Sequence, residues 1–382
     1  MNVIMLEILK RLKVEVLPFL RTEDWENPGI GKLIMRALWR WMCRDPRRIS
    51  FIVHLLIGFL RARTRRKKQE KHIGGNIPIV LAHSPTMQCN YRCVGCYSQG
   101  RDDSNELSSD ELDTLFREAE ELGVSTIVIT GGEPFLRSDL VPLMEKHRGL
   151  LFVVITNGSL LSPLLAQKIA HSGNIITLVS IEGNEMETQR RRGEGAYQAA
   201  IRAMENLKAC GVPFGFAATN TRENAATLIS EPFINQMIAA GCTLGFFTEY
   251  VPCGEHPRYD WVFDRHAREQ FHQKVLKLRT QKPLVLVQFP HDEYGKDDLC
   301  SAAGIASFHI NTQGGVEPCP FSPYAQDNIR QGGLRQACAS SFLKSIRSQP
   351  ALLHRKEYAC ALFEHEKEIA QLFHSIEKGE EQ

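Results

Sequence analysis

The sequence predicts an α/β fold: a parallel sheet covered by helices, with a helical extension before it and a small domain after it. Two observations predict this. From about residue 76, short β-branched or aromatic runs alternate with longer helical patterns. Those runs lack the polar alternation of a half-exposed strand, which is how strands buried on both faces read. The alternation is missing before residue 76 and stops after residue 282. The 382 residues therefore divide into 1–75, 76–282 and 283–382, in keeping with roughly 100–200 residues per domain.

The extension comes first. "MLEILKRLKVEVLPFL" is amphipathic, and it is punctuated by Pro18 and by the turn-forming Asn27-Pro28-Gly29 further on. "ISFIVHLLIGFL", Ile49 to Leu60, is 12 apolar-rich residues, short of the roughly 20 needed to span a bilayer. Seven cations lie within Arg61–Lys71. Residues 1–75 hold 17 Lys/Arg against 7 Asp/Glu, so the rest of the chain is acidic. A basic amphipathic segment suits an anionic membrane surface through residues 1–72, or a core-packing helix with a solvated basic tail. No aromatic residue interleaves with the basic run, so nucleic acid is not expected as a partner.

The strands expected next are Ile77–His83, Ser125–Thr130, Leu151–Thr156, Ile175–Ile181, Pro213–Thr219 and Thr243–Val251. Helices are expected near 109–122, 138–147, 161–172, 195–210 and 223–240. Six βα repeats fit a barrel, complete or partial, and also an open doubly wound sheet. In each case active groups collect at the C-terminal ends of the strands. Beyond residue 282, "PLVLVQF" reads as one more strand. A small hairpin through "SFHINTQGGVEPC" and helical patterns near 332–348 and 360–376 complete the chain.

Eleven cysteines and a start, Met1–Leu20, without a leader-like pattern point to a reducing cytoplasm, where clustered cysteines bind metal or do chemistry. Three of them form Cys89-x₃-Cys93-x₂-Cys96 just after the first strand. This spacing suits an iron–sulfur cluster with one open corner, or a zinc site completed by a distant ligand such as His83. Gly131-Gly132-Glu133-Pro134 ends the second strand, with acceptors suited to an ammonium group. Asn157-Gly158 ends the third strand and places a polar amide at the mouth. Ser180 and Glu182 end the fourth, two residues apart and so on one face; a hydroxyl and a carboxylate there suit a ribose. Arg190, Arg191 and Arg192 come next, and one could fork onto a carboxylate. An amine, a carboxylate and a ribose beside a three-thiolate cage describe S-adenosylmethionine.

On these motifs, over residues 78–250, the chain resembles a radical S-adenosylmethionine (radical SAM) enzyme. The resemblance implies a partial (β/α)₆ TIM-type barrel holding a [4Fe–4S] cluster on Cys89, Cys93 and Cys96. It implies that the cofactor's amine and carboxylate chelate the open iron. The amine is expected against Gly131, Gly132 and Glu133, the ribose near Ser180 and Glu182, the carboxylate near Arg192, with Arg190 second. Asn157 stands at the same mouth. Where the family often has an aromatic residue before the third cysteine, this chain has Gly95, with Tyr97 just after. The adenine contact is thus open between the backbone at 95 and the Tyr97 ring.

The C-terminal domain resembles the SPASM and Twitch auxiliary-cluster extensions, through Cys300-x₁₃-Gly314-x₄-Cys319 and a late Cys360. The resemblance implies one auxiliary iron–sulfur cluster on Cys300, Cys319 and Cys360. The fourth ligand is Cys338, Cys253 or substrate. A zinc-stabilised lobe is the alternative. Cys43, Cys210 and Cys242 sit in apolar surroundings and read as core.

The function so implied is reductive cleavage of S-adenosylmethionine, by an electron donor such as a flavodoxin or ferredoxin, to a 5′-deoxyadenosyl radical that abstracts hydrogen from substrate. The substrate class implied is a peptide or protein side chain. A lipid or other membrane-associated small molecule is the alternative, with the chain peripheral at the inner membrane face. A non-catalytic iron–sulfur or zinc scaffold is a third reading. No acid/base pair stands out; Glu249 and Tyr250, at the sixth strand end, are the substrate-side candidates.

Overall fold

The computed structural model describes residues 49–294 and 298–377. Its centre is one sheet of ten strands: β1 Val80–His83, β2 Thr126–Ile129, β3 Leu151–Thr156, β4 Ile175–Ser180, β5 Phe214–Asn220, β6 Leu244–Glu249, β7 Val285–Phe289, β8 Ser307–Ile310, β9 Gly315–Glu317 and β10 Asp327–Asn328. The spatial order is β10-β9-β8-β1-β2-β3-β4-β5-β6-β7. Every pair from β8 through β1 to β7 is parallel, and β8-β9 and β9-β10 are antiparallel. Residues from each of β1 to β8 line one cavity, so the sheet curves round it. This is the partial barrel.

The segment after residue 282 is woven into that sheet. β7 lies beside β6, and β8, the first strand of the expected hairpin, lies parallel to β1 with Val80 opposite Ser307. The six βα repeats thus gain a strand at each edge. Strand pairing is non-local, and a hairpin's own residues do not say which edge it will extend.

The helices obey local rules. The helix α1 is Ile49–Ile73, α2 is Ser109–Leu122, α3 is Leu140–Lys146 and α4 is Pro163–Ser172. Glu185–Arg192 (α5), Ala196–Ala209 (α6), Glu231–Ala240 (α7) and Arg265–Gln281 (α8) complete the covering layer. Ser108 and Glu111 form a capping box at the start of α2, and Gly123 ends it at φ 92°. Leu112, Leu115, Phe116, Ala119 and Leu122 form its buried stripe. Phe116 meets Phe152 of β3 edge-on at 5.0 Å, and each such ring contributes roughly 1.5–3 kcal/mol by burial.

Alternation within β1 separates two environments. Val80 and Ala82 face the cavity. His83 faces the helices: its Nδ1 lies 3.0 Å from the Ile310 carbonyl and its ring meets Phe116 at 6.4 Å. Burial pushes its pKa down to about 3. The zinc site completed by His83 is therefore excluded, because a strand residue cannot serve both faces.

The apolar run and the basic run of the N-terminal segment are one helix, α1. Ala62 is buried, and Arg65 and Arg66 donate to the carbonyls of Glu120 (3.1 Å) and Gly123 (3.2 Å) at the C-terminal end of α2, where cations are favoured. Arg61, Arg63, Lys67, Lys68 and Lys71 are exposed. Among the described residues, no helix is long and apolar enough to cross a membrane. The amphipathic stretch before Ile49, and Cys43, lie outside the described residues.

Candidate active site

Cys89, Cys93 and Cys96 are free thiols in the loop after β1, and all three line the cavity, about 250 Å³ in volume. The backbone N–H groups of Gly132 and Glu133 donate to the carbonyls of Thr86 and Gln88, both at 2.8 Å, pinning the loop to the end of β2. Val94 N donates to the Arg191 carbonyl at 2.8 Å, and Asn157 Nδ2 donates to Asn90 Oδ1 at 2.8 Å, beside the Cys89 sulfur at 3.9 Å. Burial pushes the Cys89 thiol up, against the Tyr91 N–H that stabilises its thiolate.

The turn after β2 is built by close approach. Gly131 has φ 97°, and a Cβ there would stand 2.6 Å from the Thr86 carbonyl; one on Gly132 would collide with Gln88. Glu133 differs from the expectation of an acceptor held open for an amine. Its carboxylate is buried and takes Phe135 N (3.1 Å), Thr156 Oγ1 (2.7 Å) and Asn157 N (2.8 Å). It fastens the β2 turn to the end of β3. Tyr97 also lines the cavity. Its hydroxyl bonds Thr130 Oγ1 at 2.8 Å and accepts Gly131 N–H at 3.0 Å.

Ser180 and Glu182 do not share a face. β4 ends at Ser180, so strand alternation stops there, and Gly183 turns the chain at φ 123°. Ser180 lines the cavity. Glu182 is buried against Arg191 and Arg192, with Arg192 Nε at 2.7 Å, and accepts Thr219 N–H at 2.9 Å. Burial alone would raise its pKa, but the two guanidinium groups outweigh it and leave the carboxyl low. Arg191 and Arg192 both line the cavity, whereas Arg190 is exposed and pairs with Glu223 at 3.2 Å.

A second group of thiols opens into the same cavity: Cys300, Cys319 and Cys360, all buried. Tyr294 gathers them. It pairs with Cys300 in a β-bridge, and its hydroxyl donates to the Ala359 carbonyl (3.0 Å) and accepts Ala361 N–H (2.9 Å), on either side of Cys360. Ala303 N donates to the Pro318 carbonyl at 3.0 Å, drawing in Cys319. Cys338 is elsewhere. It caps the helix Ile329–Ala337 (α9), does not line the cavity, and has Arg335, Arg347, Glu118 and Glu70 as charged neighbours. A ligand role for Cys338 in this group is thereby corrected: α9 packs on α2, on the outer face of the sheet.

Comparison with known proteins fits this geometry. A family model described as the Radical SAM superfamily matches residues 83–226. Mycofactocin maturase MftC of Mycobacterium ulcerans is 35% identical over 294 residues, covering 69% of this chain and 75% of that one. The chain belongs to the radical SAM superfamily. Fe-coproporphyrin III synthase of Methanosarcina barkeri is 33% identical over 150 residues, only 38% of each chain. Streptococcus suis SuiB superposes with TM-score 0.64 when bound to S-adenosylmethionine (75% of this chain, 71% of that one, 18% identity) and 0.62 when bound to its precursor peptide SuiA (75% and 70%, 19% identity).

Radical SAM enzymes use a [4Fe–4S] cluster and S-adenosylmethionine, and SPASM and Twitch relatives carry additional clusters. Two sets of three free cysteines facing one cavity are a donor set of that chemistry. Between them runs an aromatic wall: Tyr97 meets Phe321 at 5.4 Å, Phe321 meets Phe289 at 6.0 Å, and Phe289 stacks on Phe246 at 6.1 Å.

Two features of this radical SAM site lie beyond the sequence reading. Arg191 is one, since three consecutive arginines carry no mark of which face the cavity. The other is the neighbour of Gly95. At φ 62°, a Cβ on Gly95 would stand 2.9 Å from Tyr250 Oη and 3.3 Å from Trp261. The aromatic surface beside the third cysteine thus comes from the end of β6. Glu249, next to Tyr250, lines the cavity with Oε1 on Arg268 Nε at 2.7 Å and Oε2 buried without a partner. Cys242 is fully buried and Cys210 packs against the core.

Proposed function

We propose that this radical SAM enzyme modifies a side chain of a peptide. One observation carries the reading: two cages of three thiols and a buried carboxylate with one unpartnered oxygen, Glu249 Oε2, open into one cavity. The maturase name of its 35% identical relative and the precursor peptide bound to SuiB support the substrate class.

In this reading Cys89, Cys93 and Cys96 hold the first [4Fe–4S] cluster, and Cys300, Cys319 and Cys360 hold an auxiliary one. The cluster and S-adenosylmethionine together supply a 5′-deoxyadenosyl radical. The chain's own residues do the rest. The backbone of Gly131 and Gly132 and the Asn157 side chain receive the methionyl end, Ser180 the ribose, and Arg192, with Arg191, the carboxylate. Glu133 and Glu182 position these groups through the bonds they make. The aromatic wall excludes water and stray hydrogen donors. Glu249 Oε2 accepts a hydrogen bond from substrate, since a buried oxygen without a partner is otherwise costly.

The test is anaerobic reconstitution of the full chain with iron and sulfide, then reduction with S-adenosylmethionine. Formation of 5′-deoxyadenosine that disappears in Cys93→Ala supports the reading. Its absence from the unaltered, cluster-loaded chain sinks it.

A further inference from the structure

We infer that Glu293 is the fourth protein ligand of the second cage, completing Cys300, Cys319 and Cys360. This rests on the auxiliary-cluster reading above. Position carries it first. Glu293 lines the cavity together with those three cysteines. Its backbone carbonyl accepts Ser301 N–H at 3.2 Å and its carboxylate takes the Ser301 hydroxyl, so the carboxyl group is fixed next to Cys300. The following residue, Tyr294, holds both Cys300 and the chain on either side of Cys360. One turn thus places a carboxylate and gathers the thiols.

Unused bonding capacity carries it further. Among the described residues the Glu293 carboxylate takes one hydrogen bond, from Ser301, whereas the buried Glu133 carboxylate in the same cavity wall takes three. Burial pushes the Glu293 carboxyl up from its ordinary range, with the Ser301 hydroxyl opposing that shift. The carboxylate's field reaches both Cys300 and Cys319, adding to the burial and the neighbouring cysteines that push those thiols up.

The chemistry is permissive. Cysteine is not obligatory in iron–sulfur sites, since histidines replace two cysteines in Rieske centres, and carboxylate oxygen ligates iron in non-haem sites. The other sulfur candidates are placed less well. Cys338 lies on α9, away from the cavity. Cys253 lies within electrostatic reach of Cys360 and Cys96 but is not part of the cavity wall, and the neighbouring Gly254 packs on the Cys96 carbonyl, where a Cβ would stand at 2.6 Å.

The experiment uses the full chain with Cys89→Ala, Cys93→Ala and Cys96→Ala, so that only the second cage is left. After anaerobic reconstitution, iron content, Mössbauer and EPR spectra are read, with circular dichroism as the check on folding. The expected result is a four-iron cluster in this background. Adding Glu293→Gln converts it on mild oxidation to a three-iron EPR species, Glu293→Cys restores four irons, and Cys253→Ala changes nothing. Unchanged spectra in Glu293→Gln, or iron lost with Cys253→Ala instead, overturn the assignment. If the triple variant takes up no iron at all, the auxiliary-cluster reading itself falls and this assignment with it.

Discussion

The Tyr97 hydroxyl accepts the Gly131 amide hydrogen at 3.0 Å. This bond adds a side-chain link to the two backbone bonds that join the loop carrying three thiols to the turn that closes β2. The same hydroxyl bonds Thr130 at 2.8 Å, and the Tyr97 ring rests edge-on against Phe321, two residues past Cys319. Tyr97 therefore links both cages through one side chain. Its hydroxyl holds the Gly131 backbone, whichever of Tyr97 and the backbone at 95 meets adenine.

Tyr97→Phe keeps the ring and removes that link. A net hydrogen bond contributes about 1 kcal/mol, so binding of S-adenosylmethionine to the reconstituted protein should weaken about fivefold. Equilibrium dialysis with labelled cofactor measures it, with iron content expected to stay constant.

Gly95→Ala forces a Cβ into Tyr250 and Trp261 at a left-handed φ of 62°. The expected cost is about 1–3 kcal/mol, read as a lowered midpoint in denaturant unfolding. Tyr250→Phe removes the closest contact, so the double variant should cost less than the two singles added together.

Glu182→Gln leaves Arg191 and Arg192 buried without their carboxylate. Breaking such a pair costs about 3–5 kcal/mol near neutral pH. The sign with pH comes from the lowered pKa. The stabilisation is complete above the ordinary value of 4.5 and is lost as pH falls through the still lower value in the folded chain. The stability gap between the variant and the parent should therefore be constant near neutrality and close in acid, as thermal unfolding across pH will read.

Cys338→Ala should leave iron content and spectra unchanged, since that thiol lies apart from the cavity. Cys319→Ala should remove the second cluster's signal while leaving the first. Iron analysis and EPR on the full chain separate the two outcomes.

Much of the molecule was legible from local pattern. The six βα repeats, the late strand, the hairpin and the three-cysteine loop depend on residues near one another in sequence, whose periodicity and spacing are printed in the chain. The helix near 109–122 was readable for the same reason, and α2 spans Ser109–Leu122.

What tertiary structure decided was pairing and facing. That β8 lies against β1, that His83 turns away from the cavity while Ala82 faces it, and that Cys300, Cys319 and Cys360 meet without Cys338 all depend on contacts between distant segments. Glu133 and Glu182 were visible as carboxylates, but only the folded chain showed their oxygens already bonded. Sequence determined which chemical groups this protein owns and at which strand ends they stand. Packing decided which of them remain free for chemistry, because a buried polar atom is committed by whichever neighbour the fold brings within hydrogen-bonding reach.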